Sequence, residues 1–103
     1  MHEARLQQAE REHVRWLILS ALYAGRPLGV AEGVLLRVVR ELTPRITAQA
    51  LRAELRYLED AGLLRLRRDD ELSWFGEITP EGVDIVEYNA PVPKGIARPP
   101  KYW

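Results

Sequence analysis

The sequence predicts a mainly α domain carrying one small β-hairpin. Apolar residues recur at three- and four-residue steps through most of residues 3–60, the mark of helices with one buried face. After Gly62 the period drops to two, the mark of strands. Thr47 and Thr79 stand where helices would begin, each able to accept a hydrogen bond from an otherwise orphaned backbone N–H. The chain has 103 residues, enough for one domain, and 47% of them are hydrophobic. A core of that size is marginal, so a partner chain would help cover it.

The first helix spans residues 3–23, with Leu6, Ala9, His13, Val14, Leu17, Ile18, Ala21 and Leu22 on its apolar side. "AGRPLG" ends it through Gly25 and Pro27. A second helix spans residues 30–42, with Val30, Val34, Leu35, Val38 and Leu42 as its stripe. Pro44 then disfavours helix at Thr43. The third helix starts from Thr47. Leu51, Leu55 and Leu58 fall on one face, Gln49, Arg52 and Arg56 on another, and Gly62 closes the helix. Leu64 and Leu66 alternate with Arg65 and Arg67. Leu72, Trp74 and Ile78 alternate with Ser73, Phe75 and Glu77. The hairpin therefore lies within residues 63–78, with "RRDDE" as its polar loop. "TPEG" opens a short last helix, with Thr79 as cap, Pro80 in the first turn and Glu81 at its positive end. Residues 1–88 thus form the domain. Residues 89–103 form an extended tail with four prolines.

Charge is balanced overall and uneven locally. Residues 1–60 hold nine Lys/Arg against eight Asp/Glu, residues 61–88 three against seven, and residues 89–103 three against none. The middle would repel phosphate and the tail would attract it. The absence of cysteine excludes disulfides and thiolate metal sites. No apolar run approaches a membrane span and no cleavable signal is visible, so a soluble, cytoplasmic chain away from membrane is expected.

Three helices, a two-strand wing and a closing helix follow the order of a winged helix-turn-helix domain. The motifs "LRAELRYLEDAGLLRL" and "ITPEG" resemble the pattern shared by many small winged-helix regulators, a pattern more specific for fold than for function. "HVRWLILSAL", "ITAQALRAELRYLEDAGLL" and "VPKGIARPP" together resemble the small winged-helix proteins of Mu-like transposable phages and their prophages, a regulator-like family. The resemblance implies a phage or prophage origin and a winged helix. It supplies no target.

In such a domain the N-terminal half of the third helix enters the major groove. Gln49 is able to pair bidentately with adenine and Arg52 with guanine. Arg56 and Arg45 are placed for phosphate, and Thr47 sets the helix start. On the opposing view the face is merely solvated, with Arg56 paired to Glu59 or Asp60. Arg65, Arg67 and Arg68 suit phosphate or the minor groove, whereas Asp69, Asp70 and Glu71 at the expected tip oppose it. The tail packs on its own domain, crosses to a second subunit, or follows DNA through Lys94, Arg98 and Lys101. Ile96, Tyr102 and Trp103 favour packing. Trp16 and Tyr23 on the first helix suit either a homodimer contact or a wide core face.

No enzyme is expected. The chain lacks a glycine-rich phosphate loop and an ordered Ser/His/Asp set, and His2 and His13 lack metal-site spacing. The contiguous carboxylates of Asp69, Asp70 and Glu71 do not converge from separate elements, as a two-metal site requires. No cofactor is expected. The expected function is a phage DNA-binding transcriptional regulator, dimeric, on double-stranded DNA. The alternative is a winged-helix adaptor that holds a phage or host protein without DNA.

Overall fold

The structure, a computed structural model, describes residues 2–70 and 72–101. Its elements are α1 (His2–Ala24), β1 (Val30–Ala31), α2 (Glu32–Arg40), α3 (Ala48–Asp60), β2 (Leu64–Asp70), β3 (Ser73–Ile78) and α4 (Pro80–Val86). The class among the described residues is α+β, four helices around a three-stranded antiparallel sheet of order β1-β3-β2. The core gathers Ile18, Leu19 and Leu22 of α1, Leu35 and Val39 of α2, and Leu51, Leu55 and Leu58 of α3. Leu64, Trp74, Ile85 and Ile96 close it.

The leucine stripe of α3 is buried as its spacing requires. Thr47 caps the helix by accepting from the Ala50 N–H at 3.0 Å, and Gly62 follows it with φ +79°. Thr79 is buried. Its Oγ1 accepts from the Gly82 N–H at 3.1 Å and donates to the Gly62 carbonyl at 2.7 Å, joining the start of α4 to the end of α3.

Several expectations are corrected. Residues 30 and 31 form a strand before the second helix: Val30 pairs with Gly76 and Ala31 with Phe75, so α2 begins only at Glu32. The apolar face of α2 is Leu35 and Val39, while Val34 is exposed. "VLLRVV" is apolar at nearly every position, so periodicity leaves its rotation open. Leu42 and Leu6, placed in apolar stripes, are also exposed. "RRDD" belongs to β2 rather than to a loop, with the register irregular between Arg67 and Asp70. Cross-strand contacts sustain that strand: the Arg67 guanidinium lies 4.2 Å from the Phe75 ring centroid and its Nε 3.3 Å from Glu77. Leu72, expected to share the inward side with Trp74, is 86% exposed beyond the strand.

The outer side of β2 is held by α3. The Leu66 N–H donates to a Glu59 carboxylate oxygen at 3.0 Å, and the other oxygen accepts from Arg68 at 2.9 Å.

The tail packs on its own chain. The Ala97 N–H donates to the Glu12 carbonyl at 3.1 Å, Arg15 donates to the Gly95 carbonyl at 2.9 Å, and Ile96 is buried. Gly95 has φ +113°, and a Cβ there would lie 2.6 Å from the Tyr57 hydroxyl, so only glycine permits the approach. Tyr88 Oη donates to the Pro99 carbonyl at 2.6 Å. Arg98 turns inward, donating to the carbonyls of Ile85 at 3.0 Å and Ala90 at 2.9 Å. Tyr102 and Trp103 lie outside the described residues.

Candidate nucleic-acid interface

The site begins with a buried acid. Glu32 opens α2, and its carboxylate meets the chain from two directions. Its Oε1 accepts the Trp74 N–H from β3 at 3.1 Å. From α3, Arg52 donates Nε to Oε2 at 2.7 Å and Nη2 to Oε1, a bidentate pair. Arg52 Nη2 also donates to the Leu72 carbonyl at the hairpin end, at 3.3 Å. One carboxylate thus ties α2, α3 and the hairpin together.

Above that pair lies the Trp74 indole, itself buried. Three guanidinium carbons face its ring: Arg52 at 4.5 Å, Arg68 at 4.7 Å and Arg56 at 5.6 Å from the centroid. Arg52 and Arg56 come from α3 and Arg68 from β2, so a single aromatic platform gathers cations from helix and strand.

The predicted residues sort accordingly. Gln49 is exposed on the first half of α3. Thr47 is spent on the cap. Arg45 is exposed just before α3, and neither it nor Arg56 makes an ion pair among the described residues. The solvated reading paired Arg56 with Glu59 or Asp60. Glu59 is instead engaged by Arg68 and by Leu66. Arg65 and Arg67 both lie near Glu77, at 3.9 Å and 3.3 Å. Glu32, Glu59, Glu77 and Trp74 were not among the candidate residues. Glu32 left a signal in the sequence, a lone acid beside an apolar run, which calls for a buried partner.

A second cluster fixes the back of α3. Glu54 accepts from Arg15 Nε at 2.8 Å and from Arg11 Nε at 3.0 Å. The Arg15 guanidinium lies 3.6 Å from the Tyr57 ring centroid.

Hydrogen bonding from Arg52 holds the Glu32 carboxyl below its ordinary value, against the opposing effect of burial; the Trp74 amide and the Arg52 charge add to the lowering. Because the folded-state value is depressed, the stabilisation is complete above the ordinary glutamate value of about 4.3 and is lost as pH falls through the lower folded value. The clasp should therefore stay intact from neutral pH to about 4.3 and open only in stronger acid. The Trp74 amide shift in an NMR titration reads this directly. A midpoint at or above the ordinary glutamate value would contradict it.

No helix among the described residues is long and apolar enough to cross a membrane. No protein-family model matches this chain, and no curated protein or solved structure matches it either.

Proposed function

We propose that this protein is a winged-helix DNA-binding protein of a Mu-like transposable phage or prophage, acting as a transcriptional regulator by occupying double-stranded DNA. In this reading α3 is the recognition helix and β2 and β3 form the wing. The observation that carries it is the convergence of Arg52, Arg56 and Arg68 on the Trp74 ring. Arg45 and Arg56 make no ion pair among the described residues, which supports an anionic partner, and the exposed Gln49 at the start of α3 offers a side chain for a base edge.

The rival reading is an adaptor that binds a phage or host protein. It is favoured by the pairing of Arg52, Arg65, Arg67 and Arg68 with glutamates. The exposed Leu72 at the hairpin end also favours it.

Fluorescence anisotropy with a labelled duplex across a salt series separates the two. DNA binding predicts a linear fall of log affinity with log salt, and Arg56→Ala should flatten the slope by about 1 for a lost phosphate contact. A protein that ignores duplex even at low salt is not a DNA-binding regulator, and the adaptor reading then stands.

A further inference from the structure

Within the DNA-binding reading, on which this inference rests, we infer that Glu32 restricts Arg52 to a contact with the DNA backbone, leaving Gln49 as the base reader of α3. A guanidinium carries five N–H groups: one on Nε and two on each Nη. Glu32 takes the Nε proton and one from Nη2. The Leu72 carbonyl takes the other Nη2 proton. Among the described residues, both protons of Nη1 remain without an acceptor.

Bidentate recognition of guanine needs two neighbouring donors on one edge, directed at O6 and N7. The Nε/Nη2 edge is filled by the carboxylate. The Nη1/Nη2 edge has lost its Nη2 half to the hairpin end. What an incoming anion meets is one nitrogen, on a group whose carbon lies 4.5 Å from the Trp74 ring centroid. A phosphate oxygen accepts readily from one nitrogen, with no demand for a matched pair of acceptors. Rotating Arg52 outward would strand the Glu32 carboxylate, which has little solvent access and whose remaining donor is the Trp74 amide. The pair therefore persists on binding.

Gln49 is in the opposite situation. It lies three residues before Arg52, one helical step along the same face, and it is exposed. No hydrogen bond engages its side chain among the described residues. Its amide keeps a donor and an acceptor together, the pair that adenine N7 and N6 require. Sequence choice on this face accordingly falls on Gln49, and Arg52 contributes affinity that is blind to sequence.

The test uses the intact chain and a duplex pool randomised at its centre. After selection, binding is measured on the enriched and on a scrambled duplex across a salt series. Arg52→Ala should weaken both duplexes by the same factor and lower the salt slope by about 1. Arg52→Lys keeps the charge facing Glu32 but cannot form the fork, so it guards against a folding loss in the alanine variant. It should leave the enriched sequence unchanged. Gln49→Ala should erase the preference at one adenine. The inference is overturned if either Arg52 variant relaxes the choice at a guanine. It is equally overturned if Gln49→Ala leaves the enriched sequence intact, or if the wild type binds the pool without enriching anything. In these cases DNA binding itself survives. A wild-type protein that binds no duplex at low salt overturns the DNA reading and this inference with it.

Discussion

Glu54→Ala should cost about 3–5 kcal/mol, a large share of the 5–15 kcal/mol by which domains of this kind are stable. Arg15 is the reason. Its side chain is 4% exposed and that of Glu54 7%, so removing the carboxylate leaves a cation with almost no water to turn to. The Gly95 carbonyl and the Tyr57 ring remain beside it, but neither carries the opposite charge. Arg11, more than half exposed, has solvent as an alternative and adds little. The double variant Arg15→Met with Glu54→Leu should recover most of the loss, because a buried pair replaced by apolar groups of similar volume is often neutral. Urea denaturation of the single and double variants measures both. A loss below about 1 kcal/mol for Glu54→Ala would show that the pair is effectively solvated.

The second large effect is expected from the tail. Deleting residues 94–103 removes the buried Ile96 side chain, the carbonyl that Arg15 donates to and the Ala97 hydrogen bond to α1. Burial of one such side chain and the hydrogen bonds together are worth about 2–4 kcal/mol. That corresponds to a fall of roughly 10–25 °C in melting temperature for a domain this small. Since the strap docks on its own α1 and α4, the shift should be the same at protein concentrations tenfold apart. Calorimetry decides it: an unchanged melting temperature, or a shift that depends on concentration, would contradict intramolecular docking. Because Gly95 also lies against Tyr57 and Arg15, the strap bears on α3 as well as on α1.

The sequence showed α3 clearly because its leucines repeat without ambiguity and its cap is local. Thr79 and Pro80 marked α4 for the same reason. α2 was harder, since a run of consecutive apolar residues fixes no rotation. The side that turns inward is set partly by Glu32 reaching Arg52, a partner 20 residues away. β1 was not legible because two residues make no period, and its pairing partners lie on β3. The same distance problem governs the candidate site. That Gln49, Arg52 and Arg56 share a face follows from helical spacing alone. That Arg52 spends three of its five donors inside the protein follows only from the folded arrangement. The tail's tendency to pack was legible from Ile96 and the prolines, whereas the inward turn of Arg98 was not.

The Glu59 side chain has a consequence for the behaviour of this chain in a crowded solution. β2 lies at the end of the sheet, and a strand in that position offers unpaired backbone groups to any extended segment that drifts past. By accepting the Leu66 N–H and holding Arg68 at the same time, Glu59 occupies the place where a stray strand would begin to add. An approaching chain would have to displace a carboxylate from both groups before forming its first rung. The edge is blunted at Leu66 from within the fold.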